Sequence, residues 1–436
     1  MRSKLFLFVF SFLFITSLYA QEKKSFANIQ EVFEFTKSNN FTFQNAALQV
    51  ELAKLTKKSS VLNAINPKIP TSYQAIDNQN QQVSFLPGQA FGLPAGTFKQ
   101  VTIGQQYVAT FSIQPQFDIL NLATIAQIKS VKLNEQLIEN QNKINQQNLF
   151  EKINGIYFNI LALNAQKEIV ASNIEIATKI VTISTNKFNE GLARKQELNE
   201  AEVNLINLKD KMQQIEYTLQ IQHQTFGLFF ENKILPSLSQ SIADFEKSTK
   251  NSTITNELLV ENTSILYQIA KQDLKSIRLQ QMPVVSFISS YNWQNLSNDN
   301  FYATNSNRVN FNYVGLKVNY DLPTNVQKHT AVHSKSIQLK IAEFNAEHSK
   351  KENENRNNQL LLETEKAIAQ LENLKKIVEL KEDSYQKNNN QYIENILPLD
   401  KLLISQNDLI MSQLNVISAL ATIGFNQTKI EIYNGN

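Results

Sequence analysis

Two histidines, His329 and His333, are the residues of this sequence whose spacing could do metal chemistry. They are four residues apart, which places both side chains on one face of a helix. A zinc site needs at least a third ligand, and the sequence offers no cysteine to supply it. The alternative is a solvated helix surface, and we expect neither a metal nor any other cofactor.

Other catalytic signatures are also missing. We find no glycine-rich phosphate loop and no motif for a nucleophilic serine. The absence of cysteine excludes disulfides, thiolate metal sites and cysteine nucleophiles. Carboxylates are scattered among lysines along helical stretches, which is typical of solvated helix faces. The sequence therefore predicts a protein that is not an enzyme.

Composition narrows the class of protein further. The 436 residues carry a net charge of +3, and removal of Arg2 and Lys4 with a signal peptide would leave 40 basic against 39 acidic residues. A nearly neutral chain gives no support to nucleic-acid binding. The counts of 10 glycines and 9 prolines are low, which argues against loop-rich all-β folds.

The first twenty residues have the pattern of an export signal. A basic start at 1–4 precedes an apolar run from Leu5 to Leu18, and Ala20 precedes a polar segment. An N-terminal membrane anchor is the alternative, although the apolar run is short for a span. No later segment offers about 20 continuous apolar residues. A second membrane crossing would therefore require strands in a closed barrel.

Two long stretches, 116–235 and 324–397, contain no proline and only three glycines. Their apolar residues recur at alternating spacings of three and four, as at Leu149, Ile153 and Ile156. This seven-residue repeat is typical of coiled-coil packing, so we expect long paired helices.

Segments with a period of two lie between the helical stretches. From 101 to 117 the odd positions are mostly apolar and the even positions mostly polar. We expect the apolar side to contact lipid, and the residues assigned to this membrane-facing strand are Val101, Ile103, Tyr107, Phe111 and Ile113. An ordinary soluble sheet over a core is the alternative. In the segment that begins at Phe311, the apolar residues change from odd-numbered to even-numbered positions at Val314. This change predicts a β-bulge.

The order of these signals indicates an internal duplication. Gly191 and Asn395 are 204 residues apart, and each suits the left-handed residue that ends a helix at a hairpin turn. Each half is predicted to contain a helix, two strands and a long helical hairpin. The predicted segments are a signal peptide (1–20), a first repeat (21–231, strands ~67–86 and ~101–118, tip ~188–198), a connector (232–251) and a second repeat (252–436, strands ~284–294 and ~308–322, tip ~391–402).

The duplicated tips carry a resemblance to a known family. The segments that begin at Phe188 (FNEGLARKQEL) and at Tyr392 (YIENILPLDKL) resemble the hairpin tips of the TolC family of outer-membrane efflux and secretion channels. The second copy departs from the pattern with Asn395 in place of glycine and with Pro398 in the turn. The resemblance implies a mainly α fold with β structure: a long antiparallel coiled-coil helical barrel, continuous with a transmembrane β-barrel that a trimer shares.

The resemblance also implies site residues and partners. Gln196, Glu197 and Tyr392 match the positions that close the periplasmic aperture, although the basic partner expected near Leu397 is missing. Ordinary turn and helix-start roles are the alternative for Glu197 and Tyr392. The tips themselves are expected to dock a periplasmic adaptor, and the residues concerned are Gly191, Leu192, Ala193, Asn395, Ile396 and Leu397.

The sequence thus predicts an outer-membrane channel that extends into the periplasm. It would be a homotrimer in outer-membrane lipid and would passively conduct efflux or secretion substrates from a periplasmic adaptor (membrane fusion) protein and an inner-membrane pump. A periplasmic adaptor and a soluble coiled-coil scaffold are the alternatives. An adaptor normally carries one hairpin beside glycine-rich β domains, and a scaffold leaves the strand segments without a role.

Overall fold

The computed structural model describes residues 22–231, 234–247, 253–322 and 326–435. The predicted signal peptide lies outside these residues, as do parts of the predicted connector. Helices dominate the described chain: α1 (Ile29–Asn39), α2 (Phe41–Ile65), α3 (Leu122–Asn189), α4 (Lys195–Leu228), α5 (Leu258–Leu279), α6 (Val326–Ile393) and α7 (Leu399–Tyr433). The strands are β1 (Glu22–Phe26), β2 (Thr71–Asp77), β3 (Gln82–Pro87), β4 (Phe98–Ile103), β5 (Tyr107–Ile113), β6 (Gln116–Leu120), β7 (Ile234–Leu238), β8 (Val284–Ser297) and β9 (Asn307–Asn319). The prediction of a mainly helical chain with β structure is confirmed.

Contacts divide the chain into two compact units. The first unit comprises the described parts of Met1–Ala46, Asn142–Glu257 and Glu352–Asn436. The second unit comprises Ala47–Gln141 and Leu258–Lys351. Each unit therefore contains segments of both predicted repeats.

The first unit has a core of helix seams and an aromatic cluster. Ile153, Ile160 and Val170 of α3 are fully buried, and their spacing places them on one helical face. Phe26 stacks on Phe230 with ring centroids 5.6 Å apart. The cluster ties the start of the described chain to the end of α4, where β1 also pairs in parallel with β7.

Helices α3 and α7 approach closely where α7 has a glycine. A Cβ atom at Gly424 would overlap the Phe158 ring. Phe158 in turn makes an edge contact with Phe245 at a centroid distance of 4.8 Å. A larger side chain at Gly424 would therefore displace an aromatic ring of the core.

Helix α7 is the one helix of the described residues that is long and apolar enough to cross a membrane by length and composition. Many of its apolar side chains are nevertheless buried in the first unit, among them Leu402 and Ile423 at 0% and 1% exposure. We therefore attribute its apolarity to packing against neighbouring helices.

The second unit contains an antiparallel sheet that is four strands wide. Strand β2 pairs with β5, the end-to-end strands β5 and β6 pair with β8, and β8 pairs with β9. The outer edges of β2 and β9 have no strand partner among the described residues. Strands β3 and β4 form a separate hairpin.

The strands differ from the sequence prediction in three places. The strand predicted at about 67–86 is divided into β2 and β3, which belong to different sheets. The strand predicted at about 101–118 is divided into β4, β5 and β6, because Gly104 has a φ of +99° and Pro115 lacks a backbone donor. The predicted bulge near Val314 is absent, since β9 pairs with β8 without a register shift. A shift occurs instead in β6, between Asp118 and Leu120.

Candidate functional site at the helical hairpins and the sheet

The turns that join α3 to α4 and α6 to α7 have the same backbone geometry. Gly191 has a φ of +73° and Asn395 a φ of +61°, so both occupy the left-handed conformation that ends a helix. The amide of Gly191 donates to the Phe188 carbonyl at 3.0 Å, and the amide of Asn395 donates to the Tyr392 carbonyl at 3.2 Å. Asparagine tolerates this conformation better than most residues, which explains the departure from glycine in the second tip.

The residues predicted to dock an adaptor lie at the ends of these turns. Leu192 and Ile396 are the equivalent apolar residues of the two tips, with exposed fractions of 67% and 68%. Gly191 and Asn395 are exposed, while Ala193 and Leu397 are half-buried. Each tip thus presents one exposed aliphatic side chain at its apex, and the docking role stays a prediction.

The three residues predicted to close the aperture do not form one hydrogen-bonded group in the chain. Gln196 is exposed and donates to Glu200 at 3.0 Å. Glu197 is half-buried in the first turn of α4. Tyr392 is only 3% exposed, and its hydroxyl is hydrogen-bonded to that of Ser184 at 2.9 Å. The hydroxyl of Tyr392 is therefore bonded to α3 and not to Gln196 or Glu197.

Lys187 completes the environment of Tyr392. Its Nζ atom donates to the Tyr392 backbone carbonyl at 2.8 Å and lies 4.0 Å from the centre of the tyrosine ring. The ammonium thus satisfies a carbonyl at the C-terminal end of α6 and makes a cation–π contact. The sequence signal was a lysine in the last turn of α3, which indicates a helix end but does not identify the partner helix.

Burial and one carboxylate set the protonation of this group. Burial lowers the pKa of the Lys187 ammonium, and the charge of Glu197 acts in the opposite direction. Burial raises the pKa of the Tyr392 hydroxyl, the bond to Ser184 opposes that rise, and Glu197 adds to it. Glu197 therefore contributes electrostatically to the tip, without a hydrogen bond to Tyr392.

A buried chain of amides joins the same helices farther from the tip. Gln406 of α7, at 1% exposure, accepts from Asn204 of α4 at 3.2 Å and donates to Asn173 of α3 at 3.4 Å. Asn173 also donates to the Ile169 carbonyl at 2.8 Å. Because buried amides are costly without partners, this bridge fixes the register of the three helices.

The sheet of the second unit has an exposed apolar face. Tyr73, Phe111 and Trp293 are directly paired across β2, β5 and β8, so they project from the same side. Their exposed fractions are 60%, 39% and 43%. Phe111 and Trp293 contact each other with ring centroids 5.7 Å apart.

The five residues predicted to face the membrane do not all lie on this face. Tyr107, Phe111 and Ile113 alternate along β5 and share it. Val101 and Ile103 belong to β4, which pairs with β3, so they lie on the separate hairpin. Their contact with lipid stays a prediction.

The opposite face of the sheet is polar and internally hydrogen-bonded. Ser112 donates to Asn292 at 2.7 Å, and Asn292 donates to Ser290 at 2.9 Å. Gln294 donates to Thr110 at 3.1 Å on the same side. The sheet is therefore apolar on its exposed face and polar on the other, the alternation found in membrane barrels around a polar interior.

Strand β9 follows this division over only part of its length. Val314, Leu316 and Val318 lie on the apolar face, as expected from their pairing with β8. Phe311 and Tyr313 lie on the polar side, because the absence of a bulge leaves the change in parity uncorrected.

The histidine pair shows no metal geometry. His329 and His333 are both exposed on α6. Among the described residues, no group of three or more histidine, cysteine or carboxylate side chains is arranged to hold a metal ion.

Searches with the sequence find no matching family model and no matching curated protein. The fold, in contrast, matches solved structures over almost the whole chain. The outer membrane protein VceC from Vibrio cholerae has a TM-score of 0.71 at 12% identity, with 94% of this chain and 96% of that chain covered. A membrane protein from Pseudomonas aeruginosa has a TM-score of 0.75 at 10% identity, with 93% of each chain covered.

The Campylobacter jejuni CmeC outer membrane channel gives a similar result. Its TM-score is 0.72 at 13% identity, and the match covers 93% of this chain and 85% of that chain. The chain thus has the fold of these solved outer membrane proteins, in agreement with the mainly helical architecture with β structure that the TolC resemblance implies. The shared barrel, the trimer and the internal repeats stay predictions.

Proposed function

We propose that this protein is an outer-membrane channel that passively conducts efflux or secretion substrates from the periplasm to the outside. The observation that carries the proposal is the sheet with one exposed apolar face, one polar face and two edges that have no strand partner within the described part of the chain. A soluble protein would cover such a face, since an exposed patch of aromatic and aliphatic side chains is costly in water. Lipid contact accounts for it without a further domain.

Closure of the sheet requires more than one copy. Even a barrel filled by side chains needs about eight strands, and the sheet of one chain is four strands wide. Three copies would supply about twelve, which is enough for an open lumen. The edge strands β2 and β9 would pair between copies, and the polar face with Ser112 and Asn292 would line the interior.

The matched hairpin tips support an internal duplication in which each copy contributes two similar hairpins to a helical tunnel. In this arrangement the tips form the periplasmic end, with Leu192 and Ile396 exposed toward an adaptor. A channel has no energy source of its own, so a pump in the inner membrane would drive export through that adaptor. VceC and CmeC are outer membrane proteins by their own description, which supports the location proposed here.

Membrane fractionation and single-channel recording test the proposal. The mature protein should sediment with outer membranes, require detergent for extraction, have the mass of three chains in detergent and conduct ions in a planar bilayer. A soluble monomer would contradict it and would favour the coiled-coil scaffold. A membrane-free protein that binds an inner-membrane pump would favour the adaptor.

A further inference from the structure

The two hairpins of one copy meet through residues that have equivalents elsewhere on the same copy. Helices α3 and α6 are each 68 residues long, and residues 204 apart occupy the same place in each tip. In the seam inside the copy, Tyr392 inserts against Ser184 and Lys187. The cluster also buries Leu399 and Leu402 of α7 at 1% and 0% exposure.

The equivalent residues are less buried in the single chain. Phe188 has the place of Tyr392 but is 38% exposed. Gln391 has the place of Lys187 and is exposed, and Asn388 has the place of the buried Ser184 but is only half-buried. One copy thus carries the residues for a second contact of this kind. No hydrogen bond or ring contact joins Phe188 to Asn388 or Gln391 within the described copy.

We infer that Phe188 of one copy packs against Asn388 and Gln391 of the next, and that the inner end opens at these seams between copies. This inference rests on the ring of copies proposed above. The partner copy completes the site, because the two hairpins of one chain already meet at Lys187 and Tyr392.

The chemistry of the two seams explains why the one between copies is weaker. Phe188 has no hydroxyl, so the bond that Tyr392 makes to Ser184 has no counterpart. Glutamine carries no charge, so the cation–π contact and the charge-assisted bond of Lys187 are also lost.

The amide bridge gives a second, independent contrast. The places of Gln406, Asn204 and Asn173 are taken in the seam between copies by Glu202, Asp408 and Ile377. Asp408 is already paired with Lys381 at 2.5 Å on an exposed surface. These residues cannot form the same chain of hydrogen-bonded amides, and their two carboxylates repel each other, which favours separation at this seam.

Cross-linking tests the contact directly, since the chain has no cysteine of its own. A variant with Phe188→Cys and Asn388→Cys, treated with a short bifunctional thiol reagent in the detergent-extracted trimer, should give covalently linked dimers and trimers. The matched control with Ser184→Cys and Tyr392→Cys should give links only within one chain. A trimer in which the first variant gives no linked chains overturns the inference.

Conductance of the same proteins tests the opening seam. In 1 M KCl, where charge interactions are screened to about 3 Å, linking Phe188→Cys to Asn388→Cys should lower the conductance at least fivefold relative to the same protein before treatment. Linking Ser184→Cys to Tyr392→Cys should change it less than twofold. The reverse order of effects would contradict the inference.

The failure of the inference is distinguishable from failure of the proposed function. If the detergent-extracted protein has the mass of a single chain and does not conduct, the channel proposal is wrong and the inference falls with it. If the protein is a conducting trimer without the Phe188 link, only the inference is wrong.

Discussion

Lys187 and Tyr392 join the two helical hairpins of one chain. The lysine Nζ atom lies 4.0 Å from the centre of the tyrosine ring and 2.8 Å from the carbonyl oxygen of the same residue. The lysine ends one long helix and its partner ends the other, so the contact connects the two tips without involving either turn. The predictions below test this contact, the helix seam beside it and the sheet.

Replacement of Lys187 by glutamine should loosen the second tip. The variant loses the cation–π contact and a charge-assisted hydrogen bond, which we expect to cost about 1–2 kcal/mol. Amide hydrogen exchange in residues 391–397 should then become roughly 5- to 30-fold faster, if these amides exchange by local opening. Lys195→Gln is the matched control, because Lys195 is exposed and lies 5.6 Å from the Phe188 ring. Equal exchange rates in the two variants would contradict the assigned role.

The Tyr392 hydroxyl should make stability depend on pH in alkaline solution. Its pKa in the folded protein is raised above the ordinary value of 10.0. Between pH 10 and the raised pKa, the folded chain keeps a proton that the unfolded chain has lost, so stability falls as pH rises, by at most about 1.4 kcal/mol per pH unit. Below pH 10 this contribution is constant.

Tyr392→Phe isolates that contribution from the other titrating groups. The unfolding free energy of the unsubstituted protein should fall more steeply than that of the variant between pH 10 and 11. Parallel curves over this interval would show that the hydroxyl is not held in its protonated form.

Replacement of Gln406 by leucine should destabilise the helix seam. The change removes both side-chain hydrogen bonds that Gln406 makes and leaves the amides of Asn204 and Asn173 with fewer partners in a buried site. We expect a loss of about 1–3 kcal/mol in the free energy of unfolding. Gln214→Leu on the exposed face of α4 is the control and should cost less than half as much. A neutral effect of Gln406→Leu would mean that the amide bridge contributes only register.

A charge on the apolar face of the sheet should prevent membrane assembly. Phe111→Lys would place an ammonium where we propose hydrocarbon, at a cost of about 2–4 kcal/mol near the middle of a bilayer. The yield of protein extracted from outer membranes should drop several-fold. Gln74→Lys lies on the opposite face of β2 and should assemble normally, because that side is proposed to be wet. Equal yields would argue against lipid contact at Phe111.

The helices and their turns could be predicted from local sequence rules. Proline-free stretches with seven-residue apolar repeats identify α3 and α6, and a residue suited to the left-handed conformation marks the turn at Gly191. The same rule allowed asparagine at 395, where the structure has a positive φ. These features depend on a few neighbouring residues, so a single sequence is enough to predict them.

Long-range contacts could not be predicted in the same way. The hydrogen bonds of Tyr392 connect residues 205 and 208 positions apart, and no local pattern identifies Ser184 or Lys187 as the partners. In β9 the apolar residues change from odd-numbered to even-numbered positions, which predicts a bulge that the structure lacks. Pairing with β8 is set instead by the whole ladder, which tolerates Phe311 on the polar side.

Cross-linking of the two sheet edges, β2 and β9, tests whether neighbouring copies pair to close the sheet. A variant with Gln74→Cys in β2 should be combined with single cysteines at successive positions of β9, from Arg308 to Asn312, and oxidised in isolated outer membranes. We expect covalent dimers and trimers at the β9 positions of one register. We expect none when the second cysteine replaces Asn292, because Asn292 lies in β8 between two paired strands. Protein that stays monomeric at every β9 position would contradict closure of the sheet by neighbouring copies.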